Sequence, residues 1–208
     1  MGRGSKWLAI FVLAAGWAGL AAGQAARVDQ DKSSFLIAKR ELKNPLFERA
    51  VVLMLPIRNE GLVVGLIVNR ATQVSLSDAF PQVSEFKQRT DTVYFGGPVD
   101  TDSPALVFRS SKAFKEAFPL GGDLYVSFET RFIEGTLKKK PEQISAMRLF
   151  LGRSQWAPDQ LRDEMEAGAW FGEQEENGII FSAAIGDVWP KLIDPLEPGE
   201  MAMWEPLR

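Results

Sequence analysis

Two continuous apolar runs, Ala50-Val51-Val52-Leu53-Met54-Leu55 and Leu62-Val63-Val64-Gly65-Leu66-Ile67-Val68, flank Arg58-Asn59-Glu60-Gly61. Neither run alternates apolar with polar residues, so neither fits a strand with one face in water. Short apolar runs bounded by turn residues read as buried strands, here joined as a hairpin. Thr92-Val93-Tyr94-Phe95, Ala105-Leu106-Val107-Phe108, Leu124-Tyr125-Val126-Ser127-Phe128 and Met147-Arg148-Leu149-Phe150-Leu151 predict four more strands. Gly96-Gly97-Pro98 and Gly121-Gly122-Asp123 punctuate them as turns, with glycine supplying a positive φ at a tight strand end.

Helices are fewer. Glu129 to Lys140 places its acid in the first turn and Lys138, Lys139 and Lys140 in the last, then meets Pro141. That polarity suits the helix dipole, and the lysine run reads as a solvated helix end. Pro158 to Ala167 is the best specified. Proline at the first helical position leaves no amide hydrogen unpaired, and Gln160 stands where its side chain can reach back to the cap amide. Trp156 and Leu161 can form a hydrophobic staple, while Leu161 and Met165 share an inward face. Asp159, Asp163, Glu164 and Glu166 are expected mostly in water or at the helix start, and Gly168 closes the helix. A last helix is predicted over Asp187 to Ile193. Strands and helices mixed without strict alternation argue for α+β with a largely buried mixed sheet.

Composition then removes chemistries. The 208 residues contain no cysteine and no histidine. Disulfides, thiolate nucleophiles, Cys/His zinc sites, His- or Cys-ligated haem and the Ser-His-Asp triad are therefore ruled out. A net charge of −3 argues against a broadly basic nucleic-acid surface.

Residues 1–23 differ from the rest. Arg3 and Lys6 precede an uncharged stretch from Trp7 to Ala22, small residues follow at Ala21, Ala22 and Gly23, and charge returns at Arg27. This is the order of a secretory signal, with cleavage after Gly23 or Ala25. A permanent anchor is the alternative, but about 20 predominantly apolar residues are needed to span a bilayer, and this run is shorter and rich in Ala and Gly. Cleavage after Gly23 would take Arg3 and Lys6 from the 24 cations and none of the 27 anions, moving the net charge from −3 to −5. Residues 24–33 read as a disordered lead-in, and the domain proper as 34–208.

Few motifs carry chemistry. Ser84-Glu85-Phe86-Lys87 has the S-x-x-K spacing that brings an amine beside a hydroxyl on a helix, although its companion elements are absent. Asp100 and Asp102 stand two apart, but no glycine or glutamate follows at calcium-loop spacing, so they read as solvated acids in a turn. The glycine pairs fit neither dinucleotide nor phosphate-loop patterns. The 27 acids always permit some hydrolytic pair, and nothing in their spacing singles one out.

With these residues laid out, the chain resembles the YqgE/AlgH family over Ser34 to Arg208. Phe35-Leu36-Ile37-Ala38 and Asn44-Pro45-Leu46-Phe47 look like its opening, and Gly65-Leu66-Ile67-Val68-Asn69-Arg70 resembles its G-L-V-x-N-R segment. Tyr94-Phe95-Gly96-Gly97-Pro98-Val99 is similar to the Y-x-G-G-P-V signature. Gly152, Trp156, Pro158, Gln160 and Leu161 resemble G-x-x-x-W-x-P-x-Q-L, with Gly168 and Trp170 following. Ala71 stands where the family usually has proline, and Gln155 and Asp159 where it often has glycine. The resemblance implies one domain with a mixed, largely antiparallel sheet curled into a partly closed barrel and helices packed outside. It implies no reaction: the family is described as candidate transcriptional regulators, without an accepted catalytic residue.

The expected function is therefore non-catalytic binding or regulation by an exported protein, without cofactor or metal. Its partner would be another protein or a small molecule, not nucleic acid, and membrane contact would be limited to the signal. Asn69, Arg70, Gly96, Gly97, Trp156 and Gln160 are the candidate ligand or partner surface, although Gly96, Gly97 and Trp156 taken singly read more readily as turn and core residues. The rival is an exported hydrolase using carboxylates or Ser84 and Lys87. A cytoplasmic regulator translated from a start nearer Ser34 is the third reading. Mass spectrometry of the native protein is expected to find an N-terminus at Gln24 or Ala26; an intact Met1 on a soluble protein would overturn the export reading.

Overall fold

The computed structural model describes residues 34–59, 61–174 and 179–197. The signal and lead-in expected over 1–33 lie outside these residues. The strands are β1 (Ser34–Ala38), β2 (Val51–Asn59), β3 (Leu62–Ile67), β4 (Val93–Phe95), β5 (Val99–Ser110), β6 (Phe118–Gly121), β7 (Leu124–Ser127), β8 (Ile144–Trp156) and β9 (Trp170–Gln174). The helices are α1 (Leu76–Ala79), α2 (Thr130–Lys138), α3 (Pro158–Glu166) and α4 (Val188–Leu196).

All nine strands join one sheet in the order β6-β7-β5-β8-β3-β2-β1-β9, with β4 added to β8. Every pairing is antiparallel except that of β4 with β8. The mixed α+β domain is as expected. The sheet, however, is not closed: its terminal strands β6 and β9 have no ladder between them.

Strand β8 is the spine. Its first part pairs with β5 on one edge and, at Leu149–Leu151, with β4 on the other; its last part, Ser154–Trp156, pairs with β3. Between these parts Gly152 takes φ +72°, and there β4 gives way to Gly96 and Gly97. A methyl group on Gly96 would overlap the Gly152 carbonyl oxygen, and one on Gly97 would overlap the backbone of Arg153 and Ser154. Backbone therefore packs on backbone. Gly96 donates to the Leu151 carbonyl at 2.7 Å and its own carbonyl accepts from Ile67 at 2.9 Å, tying β8 to β3.

Three apolar clusters explain the continuous runs. Phe35, Ile37, Leu53 and Leu66 share one face with Val107, Val126 and Phe150, and residues of α4 (Val188, Trp189, Ile193) cover it. The opposite face divides in two: α1 and α2 cover Leu106, Phe108 and Leu149, whereas α3 covers Leu36, Val52 and Ile67. Strand β1 is buried at all five positions because it has a layer on each side. The expected placement of helices outside the curl holds for α1, α2 and α3. Helix α4 instead lies on the face shared by both halves of the sheet, because its Val188, Trp189 and Ile193 are its buried side.

The hairpin also differs in detail. Arg58 and Asn59 pair with Val63 and Leu62, which extends β2 and tightens the turn around Gly61 at φ +81°. The register slips between Leu55 and Arg58, where Pro56 has no amide hydrogen for the ladder. Strand β5 likewise begins earlier than expected, at Val99; Asp100 and Asp102 are exposed on it, and Asp100 pairs with Arg153.

Gly96→Ala is expected to destabilise the protein by about 2–3 kcal/mol, the range of core overpacking. Urea denaturation checks it; an unchanged midpoint would show that the junction yields freely.

Candidate functional site

Four of the six candidate residues converge on one surface turn, residues 44–49. The turn builds itself first. The Asn44 side-chain oxygen accepts from Leu46 N at 2.9 Å, and its backbone carbonyl accepts from Phe47 N at 2.9 Å and Glu48 N at 2.6 Å. Arg49 then adopts φ +56°, a left-handed conformation that costs a non-glycine residue about 1–2 kcal/mol.

Asn69 and Arg70 hold that conformation. The Asn69 amide donates to the Arg49 carbonyl at 2.8 Å, and its oxygen accepts from Val51 N at 2.9 Å, fixing the backbone that leaves the strained residue. Arg70 donates to the Glu48 carbonyl at 2.9 Å. Burial pushes the Arg70 guanidinium below its ordinary pKa, partly offset by the Glu48 carboxylate. Ala71 forms an isolated bridge with Tyr94 through Arg70 O and Thr72 N, so the bridge does not use its own amide, the group a proline would lack.

Trp156 and Gln160 act from below. The Phe47 ring lies 5.5 Å from both Trp156 and Trp170, and the two indoles meet edge-on at 6.2 Å. Trp156 is 1% and Trp170 3% exposed, so each indole N–H needs an internal acceptor. One carboxylate oxygen of Glu164 accepts both, at 3.1 and 2.9 Å, while its other oxygen accepts from Gln160 Nε2 at 2.9 Å. Gln160 thus braces Glu164 and does not reach back to the helix cap as its position suggested.

Trp189 of α4 closes the remaining side. Its indole donates to the Ala38 carbonyl at 2.7 Å, and the guanidinium groups of Arg40 and Arg49 lie 5.5 and 5.6 Å from its ring centroid. Arg40 is paired with Asp194 at 2.5 Å and Glu197 at 3.8 Å. At the surface the turn presents Leu46, 41% exposed, beside the exposed Arg49.

Gly96 and Gly97 are elsewhere, buried in the β4–β8 junction. Ser84 and Lys87 also lie apart: Ser84 begins a single 3-10 turn, and its hydroxyl donates to Glu85 at 3.1 Å, not to Lys87. Glu85 in turn pairs with Lys138 at 3.1 Å, which gives the helix-end lysine run one partner. No cluster of three acidic side chains suited to a metal occurs among the described residues.

The family model described as AlgH-like matches residues 35–198. The chain belongs to the AlgH-like family. A UPF0301 protein of Streptomyces coelicolor is 32% identical over 178 residues, covering 81% of this chain and 87% of that one. One from Bacteroides thetaiotaomicron is 27% identical, covering 83% and 86%. Among solved structures, the AlgH protein of Pseudomonas aeruginosa aligns with a TM-score of 0.64 at 20% identity, covering 89% of this chain and 99% of that one. A crystal structure of a Corynebacterium diphtheriae protein gives the same score at 22% identity, covering 85% and 92%. These two establish a shared AlgH-like fold.

Glu164, expected among acids in water or at the helix start, instead faces inward and is the residue whose role reading the sequence missed. It stands three residues after Leu161, on the inward side of α3, with tryptophans eight residues before it and six after it. Two buried indoles with no local acceptor were the available signal. Glu164→Ala is expected to destabilise the protein by about 2–4 kcal/mol, because two buried N–H donors lose their acceptor. Glu164→Gln, which keeps an oxygen, is expected to lose about half as much. Thermal unfolding followed by tryptophan fluorescence tests the order; equal losses would discount the shared-acceptor role.

Proposed function

We propose that this AlgH-like protein is exported and works by binding a partner through the turn at 44–49, with regulation as the consequence of that binding. The observation that carries the proposal is Arg49. An exposed arginine is held in a strained conformation by a half-buried asparagine, in the same turn as an exposed leucine, and strain kept at a surface position points to use of that position. The Asn69 and Arg70 side chains hold the turn, and Trp156 and Gln160 support it through Phe47 and Glu164, so the surface available to a partner is Pro45, Leu46, Glu48 and Arg49, of which Leu46 and Arg49 carry the reading.

The partner chemistry this surface suits is an apolar contact for Leu46 with a carboxylate or other anion for Arg49. Nucleic acid fits poorly with a net charge of −3. No helix among the described residues is long and apolar enough to cross a membrane. Export rests on the order of residues in the N-terminal segment.

A photo-crosslinking residue placed at Leu46 in cells is expected to give a discrete adduct, while one at the exposed Asp159 of α3 gives none. Arg49→Glu should reduce the Leu46 adduct about tenfold, the effect of losing roughly 1.4 kcal/mol. Adducts of equal yield at both positions, or none at Leu46, would remove the turn from consideration.

A further inference from the structure

The two ends of the sheet are protected unequally. Strand β6 is four residues long and carries Pro119, whose missing amide hydrogen blunts an edge. Strand β9, Trp170-Phe171-Gly172-Glu173-Gln174, has neither proline nor lysine. Its backbone orientation follows from its inner neighbour. Lys39 N donates to the Ala169 carbonyl at 3.0 Å, just beyond the pair of Ala38 with Trp170, so Phe171 and Glu173 turn their N–H and C=O groups towards β1. Trp170, Gly172 and Gln174 direct theirs outward, where no strand among the described residues pairs with them.

The side chains add a charge pattern. Phe171 and Glu173 pair with Ile37 and Phe35, and so lie on the sheet face of those residues. On that face Lys39 Nζ stands 4.3 Å from the Phe171 ring centroid. Neither Lys39 nor the exposed Glu173 has an ion-pair partner among the described residues. An unmatched cation and an unmatched acid thus stand at opposite ends of one open edge.

We propose that β9 pairs antiparallel with β9 of a second copy of this chain, about a two-fold axis at Gly172, so that one sheet runs through both molecules. This register sets Gly172 against Gly172 of the second copy and Trp170 against its Gln174. The outward N–H and C=O groups then meet as hydrogen-bonded pairs. It also sets Phe171 against Glu173 of the second copy, bringing that carboxylate to the ring on which Lys39 rests. Symmetry repeats the contact. The alternatives are poorer: an axis at Glu173 would oppose two acids, and one at Phe171 would take Gln174 out of the ladder. The edge is separate from the 44–49 turn, and the pairing stands whether or not that turn docks a partner.

Sedimentation equilibrium of the purified protein is expected to show its mass doubling as concentration rises. Amide exchange of the ¹⁵N-labelled protein reads the edge directly. The Trp170 and Gly172 amides should gain protection with concentration, whereas those of Phe171 and Glu173, already bonded to β1, should not change. Glu173→Lys turns an attraction into a repulsion at both symmetric contacts and should weaken dimerisation about tenfold. Adding Lys39→Glu to that variant should restore it, since the exchanged charges again match. A protein that stays monomeric, a dimer whose Gly172 amide exchanges equally fast at every concentration, or a dimer indifferent to Glu173→Lys or unrescued by Lys39→Glu would overturn the proposal.

Discussion

The contact of Gly96 and Gly97 with β8 at Gly152 is the constraint on which the architecture depends. Here two backbones approach more closely than any β-carbon permits. That approach lets β4 run parallel to β8 and then hand its hydrogen bonds to β3 through the Gly96 carbonyl. The two halves also meet directly where Ser154–Trp156 of β8 pairs with β3, and the Gly96 bridge continues that junction to Ile67. With it, one strand serves both halves, and residues as distant in sheet order as Phe35 of β1 and Val126 of β7 share one cluster.

The residues by which the chain resembles its family are largely the residues that hold its shape. Asn69 fixes the carbonyl of Arg49 and the amide of Val51; Trp156 needs the carboxylate of Glu164; the glycines remove side chains where none would fit. Each is polar, aromatic or conformationally special, and so resembles a functional residue when read along a line. In three dimensions these side chains satisfy buried donors and permit close packing. What they leave exposed is the turn they carry.

The central strands were legible because both their faces are covered, which turns each into an uninterrupted apolar run. Strands β1, β6 and β9 were not identified. Ser34–Ala38 is short and adjoins polar residues, and Trp170–Gln174 ends in Glu173 and Gln174. The far end of β8, Gly152-Arg153-Ser154-Gln155-Trp156, lies beyond the strand predicted to end at Leu151, because its ladder is supplied by β3 across a junction that no local pattern encodes. The site shows the same division. Trp156, Asn69 and Arg70 were visible as unusual residues. Glu164 was not, because helical periodicity places an acid on a face but cannot report two indoles arriving from β8 and β9. The partly closed barrel implied by the resemblance corresponds to one large open sheet, since no ladder joins the terminal strands β6 and β9.

The pairing of β1 with β9, and the burial of the shared sheet face by α4, have a consequence for how the molecule is made. The first strand finds its outer neighbour only when Trp170–Gln174 has been synthesised, and the apolar face stays uncovered until Trp189 and Ile193 arrive. Contacts so distant along the chain form slowly, because a long loop must close before any stabilisation is gained. A nascent chain of this kind cannot lock into its final shape while its beginning is emerging. Its two ends are committed to one fold only when nearly all of it has been made.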